Sequence, residues 1–214
     1  PEKSGTVILF HGYAGEKSSL LERAAYFREL GYSTLLVDFR GSGGSAGNST
    51  SIGYHESDDV YACYEYVRKS GEENIILFGT SMGAAAILRA TDKYQLNVSA
   101  LLLECPFGSL YTTTCARFRN MGIPAFPMAG VLLFWGGVQN NFWPFSHNPA
   151  EYARGITSRT LVLYGSQDDR VSLEEVKAIE KNLTGDKRLI VYPDKGHNNL
   201  FSEEWKADIA AFLK

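Results

Sequence analysis

The stretch Asn74-Ile75-Ile76-Leu77-Phe78-Gly79-Thr80-Ser81-Met82-Gly83-Ala84-Ala85-Ala86 decides the reading of this chain. An apolar run of strand length meets a G-x-S-x-G pentapeptide and passes into small residues suited to a closely packed helix. Glycine at 79 and 83 removes the Cβ atoms that would collide with neighbouring backbone in so tight a strand-to-helix turn. A serine at its tip stands clear of the sheet and at a helix N-terminus, where free N–H groups favour developing negative charge. An ordinary glycine-rich turn with a capping serine is the simpler reading, and the strand before and the helix after speak against it.

Outward from this stretch, short apolar runs alternate with amphipathic ones. Strands are expected at residues 6–10 (TVILF), 33–38 (STLLVD), 74–79, 99–104 (SALLLE), 159–164 (RTLVLY) and 187–192 (KRLIVY). Helices are expected at 18–30, 56–69, 82–92, 173–182 and 203–213. Strands apolar on both faces and separated by helices imply an α/β fold: a doubly wound, mostly parallel sheet of about six strands with helices on both faces. In such sheets ligands bind beyond the carboxyl ends of the strands. Residues 105–150 break the rhythm with aromatics, glycines and prolines, too long for a plain connection. They are expected to form a small apolar cap, roughly 107–147, on a single domain spanning 1–214.

The 214 residues carry a net charge of −3, with Lys and Arg scattered, which excludes the basic stripe of a nucleic-acid binder. Three cysteines, Cys63, Cys105 and Cys115, make a poor disulfide framework, although a Cys105–Cys115 bridge stays open. No Cys-x-x-Cys pair or His-rich cluster suggests a metal. No signal peptide or spanning run is visible, and the chain starts at Pro1 without Met, as a processed or trimmed chain would. The compartment stays open, with the cytoplasm slightly favoured by the cysteine usage, and so does the oligomeric state. Three sequons, at Asn48, Asn97 and Asn182, matter only in a secreted eukaryotic protein.

A serine hydroxyl needs a base. Of His11, His55, His147 and His197, the last follows the final strand in Pro193-Asp194-Lys195-Gly196-His197, on the same sheet edge as Ser81. The base needs an acid to hold its tautomer. The loop after the fifth strand offers Asp168 and Asp169, and the frame from Gly165 to Val171 selects Asp168; Asp38 and Asp194 are weaker candidates. Chain order is then Ser, Asp, His. Two N–H donors are expected to face an oxyanion: Met82, after the serine, and Tyr13 in the loop His11-Gly12-Tyr13-Ala14-Gly15, where His11 serves as a brace. Gly41-Ser42-Gly43-Gly44 does not fit G-x-G-x-x-G and follows the second strand, so no dinucleotide is implied.

Together these segments resemble the α/β-hydrolase superfamily over nearly the whole chain. HGYAG, VDFRGSGGSAG, GTSMG, ECPFGSL, YGSQDDRV and KGHNN make it most similar to the BEM46-like serine hydrolases, with similarity to the prolyl oligopeptidase catalytic domain. The resemblance puts nucleophile, acid and base on Ser81, Asp168 and His197 and the oxyanion donors on Tyr13 and Met82. It implies an esterase working through an acyl-enzyme without a cofactor, with a small-molecule ester or acyl substrate. A thioesterase, a monoacylglycerol lipase and a small peptidase are the alternatives. Such sheets usually begin before the HG loop, so an upstream segment was removed or the sheet is reduced; the lack of a propeller lowers the peptidase reading. A scaffold with a vestigial site is disfavoured because all three triad residues are present. Phe107, Phe134, Trp135, Phe142 and Trp143 are the expected pocket residues, with truncation of Trp143 or Phe134 altering acyl-chain preference; the cap's own core is the competing use for them. Peripheral lipid contact through residues 128–138 is a further expectation, since that run is apolar yet too short to span a bilayer.

Overall fold

The computed structural model describes residues 4–214. Six strands form one parallel sheet: β1 (Thr6–Phe10), β2 (Ser33–Val37), β3 (Ile75–Thr80), β4 (Ala100–Glu104), β5 (Thr160–Gly165) and β6 (Lys187–Tyr192), in the order β2-β1-β3-β4-β5-β6. Helices α1 (Leu21–Glu29), α2 (Glu56–Lys69), α3 (Met82–Tyr94), α7 (Leu173–Asn182) and α8 (Glu203–Leu213) cover the two faces. Strand β4 is buried along its whole length and β3 everywhere but at its last residue, which accounts for their unbroken apolar sequence, whereas the edge strand β2 is half-exposed.

Strand order reverses at β1, which pairs with β2 on one side and β3 on the other, with Phe10 opposite Gly79. The loops leaving β1 and β3 therefore diverge from a common crevice at the carboxyl edge, where open α/β sheets bind ligands. Those two loops carry His11-Gly12-Tyr13 and Ser81.

Between β4 and β5 lie α4 (Leu110–Asn120) and α5 (Ala125–Asn140), in the segment expected as a cap, and the short α6 (Pro149–Tyr152). Helix α5 buries only Ala129, Leu133 and Gly137, one narrow stripe at helical spacing. A Cβ on Gly137 would lie 2.6 Å from the Phe142 carbonyl oxygen, so glycine there lets the chain double back on the helix. The cap's far end is tied to the loop before α2: His55 Nε2 lies 2.7 Å from the Asn140 carbonyl oxygen, and Phe142 stacks on Tyr54 at 4.7 Å. Buried His147 donates from Nε2 to the Ile52 carbonyl oxygen (3.0 Å), and its Nδ1 lies 3.2 Å from the Tyr152 hydroxyl. All three cysteines are free thiols, so the Cys105–Cys115 bridge does not form. Among the described residues no helix is long and apolar enough to cross a membrane.

Candidate active site

Ser81 links β3 to α3 with φ 50° and ψ −108°, a strained conformation for a residue with a side chain. Its surroundings over-determine it. The Ser81 N–H donates to the Glu104 carbonyl oxygen at the end of β4 (2.8 Å). A Cβ on Gly79 would stand 2.6 Å from the Gly83 carbonyl carbon, and one on Gly83 would stand 2.8 Å from the His11 carbonyl oxygen. Both glycines of the pentapeptide are thus required by close backbone approach. Met82 is the first residue of α3, so its N–H belongs to the helix-terminal donors without an intrahelical acceptor.

The loop after β1 is held from beneath by fully buried His11. Its Nε2 accepts from the Phe39 N–H (3.2 Å), which leaves Nδ1 protonated and donating to the Gly12 carbonyl oxygen (2.8 Å). His11 is therefore a brace, and both its nitrogens are engaged. Tyr13, next in the loop, lines the space above Ser81.

Asp168 and His197 come together because the loops after β5 and β6 are laced to each other. Gln167 N–H donates to the Lys195 carbonyl oxygen (2.8 Å), Ser166 N–H to that of Tyr192 (2.9 Å), and Asp194 N–H to Ser166 Oγ (3.2 Å). His197 Nδ1 then lies 2.7 Å from Asp168 Oδ2, with both side chains almost wholly buried. The other carboxylate oxygen accepts from the N–H groups of Arg170 (2.8 Å) and Val171 (3.0 Å). Burial pushes the Asp168 carboxyl up; the hydrogen bond and charge of His197 and the two backbone N–H groups outweigh it and hold the carboxyl below its ordinary value. Asp168 therefore faces His197 as a carboxylate. The competing acids are elsewhere: Asp169 is exposed, Asp194 accepts from Gln167 Nε2, and Asp38 pairs with Lys17 at the end of β2. Cys105, Asp168 and His197 hold ligand-type atoms within 4.8 Å of one another. Burial and the Asp168 charge push the Cys105 thiol well up, so it stays protonated rather than becoming the thiolate a metal needs.

Two cavities meet at Ser81. One, of about 450 Å³, runs under the cap and is lined by Tyr13, Met82, Phe107, Leu133, Gly136 and Phe142, with Arg117 at its wall. The other, of about 500 Å³, is the more polar of the two and holds Ser81, His197, Arg23, Glu104, Arg117 and Arg170. There Arg23 grips Glu104 through two hydrogen bonds, 3.1 and 2.9 Å, with both side chains buried. Of the five expected pocket residues, Phe107 and Phe142 line the apolar cavity. Phe134, Trp135 and Trp143 do not: they lie exposed over grooves on the cap's outer side. The reason is helical phase. Leu133 faces inward, and each following residue turns about 100° away from it. Uniform hydrophobicity hides that phase in the sequence, although the small residues Ala129 and Gly137 mark the buried stripe. Arg117, missed in the sequence, is a single charge whose position depends on how α4 packs over the β5 loop.

A parallel sheet with a strained serine elbow at its switch point and an Asp–His pair on neighbouring loops defines an α/β-hydrolase. The chain belongs to the Hydrolase_4 family, described as serine aminopeptidase, S33, which it matches over residues 1–154. It is 30% identical over 207 residues to Rv2307c of Mycobacterium tuberculosis, covering 93% of this chain and 66% of that protein. It is 28% identical over 137 residues to bem46 of Schizosaccharomyces pombe, covering 62% of this chain and 42% of that one. The chain thus spans less than two-thirds of these relatives' own length. Among solved structures, the Pyrococcus furiosus esterase Pf2001 superposes with a TM-score of 0.77 at 25% identity, over 99% of this chain and 82% of that one.

Proposed function

We propose that this chain is a serine esterase acting through an acyl-enzyme, with Ser81 as nucleophile, His197 as base and Asp168 as the acid that orients it. The observation that carries this reading is the cavity shared by Ser81 and His197, whose ring is held by a buried carboxylate. His197 Nε2 takes the Ser81 proton as Oγ attacks the ester carbonyl. The N–H groups of Tyr13 and Met82 receive the oxyanion, an interaction worth several kcal/mol where preorganised. His197 then gives its proton to the departing alcohol, and activates water to release the acid. None of these steps calls on a cofactor. Likeness to an esterase at 25% identity supports the ester class. The charge lining the polar cavity disfavours an aminopeptidase. Glu104 is already neutralised by Arg23, so no free carboxylate lines that cavity to meet a substrate ammonium.

The apolar cavity receives the acyl group, and the cap's outer face contacts lipid. No charged side chain occurs between Arg119 and Glu151, and Phe126, Trp135, Val138 and Trp143 are more than half exposed along that stretch. Labelling by a fluorophosphonate, wild type against Ser81→Ala, tests the chemistry, and a p-nitrophenyl ester series tests the acyl cavity. Labelling of wild type alone, with turnover of at least one ester, is expected. A folded wild type that neither labels nor hydrolyses overturns the reading.

A further inference from the structure

The polar cavity has more positive charge than the proposed chemistry requires. Its charged lining consists of Arg23, Glu104, Arg117 and Arg170. Arg23 and Glu104 cancel, locked in their buried two-bond pair. Arg117 forms no ion pair among the described residues. Arg170 has only Asp169, 3.9 Å away and three-quarters exposed, a pair of the kind worth little. Arg117 and Arg170 therefore both line the cavity without a strong ion-pair partner. Guanidinium is the side-chain group best shaped for planar, two-pronged recognition of carboxylate and phosphate.

Which part of the substrate meets them follows from His197. The base hands its proton to the departing alcohol, so the cavity holding His197 is the one the alcohol leaves through. The apolar cavity, which His197 does not line, takes the acyl chain. Arg117 lines both cavities, at the wall between the two halves of the substrate. Arg170 is fixed by the same turn that orients the acid, since its own N–H binds Asp168 Oδ1 (2.8 Å).

We propose that Arg117 and Arg170 form an anion subsite on the leaving-group side, and that the substrate is an acyl ester whose alcohol carries an oxyanion, a phosphate or a carboxylate. This rests on the esterase reading for its reaction. The bond between acyl carbon and alcohol oxygen breaks, the alcohol leaves with the His197 proton, and water supplies the hydroxyl of the released acid. The charged group itself is unchanged; it is held while the ester beside it is cut.

Binding tests the subsite apart from turnover. Ser81→Ala protein is titrated calorimetrically with 1-octanoylglycerol 3-phosphate, with 1-octanoylglycerol and with inorganic phosphate. The phosphate ester is expected to bind about tenfold or more tightly than the neutral ester, the scale of charge-assisted contacts. Arg117→Gln or Arg170→Gln, each added to Ser81→Ala, is expected to bring the two esters toward equal affinity, with Arg117→Lys recovering part of the difference. Arg170→Gln, in a half-buried loop outside the helices, keeps the test alive if Arg117→Gln does not fold. Equal affinity for both esters in the parent protein overturns the proposal. Inorganic phosphate binding as tightly as the phosphate ester overturns it too, since that describes a free-anion site. If no ester is hydrolysed by wild type while the binding preference holds, the esterase reading fails and the subsite stands.

Discussion

Gly165, the last residue of β5, sits so close to the loop carrying His197 that a Cβ built on it would lie 2.7 Å from the Gly196 carbonyl oxygen and nearer still to that of Lys195. Three residues on from Gly165 is Asp168, and next to Gly196 is His197. Gly165→Ala should therefore push the two loops apart just where the 2.7 Å bond between Asp168 and His197 is made. We expect kcat/KM on a short ester to fall by about 100-fold, the scale of an ångström-sized misplacement. Steady-state kinetics, with thermal melting to confirm folding, checks this; unchanged kcat/KM would show that the loops have room to give.

The elements legible in the sequence were those whose meaning is local. Residues 74–86 declare strand, elbow and helix because each needs a different residue type within a few positions. His197 and Asp168 were legible because they follow strands, and a parallel sheet delivers such loops to one edge. Less legible was whatever depends on packing between distant segments. Helix α5 is apolar all round, so its sequence does not separate Phe134 and Trp135 from pocket residues; the buried stripe of Ala129, Leu133 and Gly137 sets its phase. His55 and His147 make contacts to Asn140 and Ile52, partners 85 and 95 residues away, and no spacing rule reveals them.

Arg23 and Glu104 form a buried pair directly beneath the site, and the Glu104 backbone also accepts the Ser81 N–H. Removing one partner strands a charge in the interior. Glu104→Gln should destabilise the fold by about 3 kcal/mol or more, while adding Arg23→Met to it should recover much of the loss. Guanidinium denaturation of the single and double variants measures both. A double variant as unstable as the single would mean the pair contributes through packing and not through charge.

His147 couples the cap to pH. Its full burial, with a lesser push from Arg89, drives the imidazole down from 6.5 to about 4. The unfolded chain therefore binds the proton first as pH falls. The stability this group contributes is present above pH 6.5 and is lost progressively toward pH 4, a total of about 3 kcal/mol from a shift of that size. Comparing unfolding free energies at pH 7 and pH 5 for wild type and His147→Phe separates it from the carboxylates. Wild type should lose more stability than the variant over that interval; equal losses would mean that His147 titrates normally.

Acyl-chain selection should follow the inner face of the cap. Gly136 lines the apolar cavity, and a Cβ there meets nothing within 4 Å. Gly136→Leu thus fills space without a clash and should shorten the preferred p-nitrophenyl ester, with a gain in helix propensity of about 1 kcal/mol. Phe134→Ala and Trp143→Ala, on the outer side, should leave the chain-length profile where it is. A profile moved by the outer pair and not by Gly136→Leu would place the acyl group elsewhere.

Those outer aromatics have a different expected use. Phe126 is 83% exposed and Trp135 58% exposed, on a cap whose inner wall leads to Ser81. Burying either ring in a lipid interface would contribute about 2 kcal/mol. Wild type should therefore co-sediment with phosphatidylcholine vesicles, and Phe126→Ser with Trp135→Ser should lower the bound fraction by well over tenfold. Hydrolysis of a water-soluble acetate should be equal in the two proteins, because neither ring lines the cavity beside Ser81. If the double variant binds vesicles as wild type does, the face has another partner. If it loses the soluble activity as well, the rings are holding the cap together and not meeting lipid.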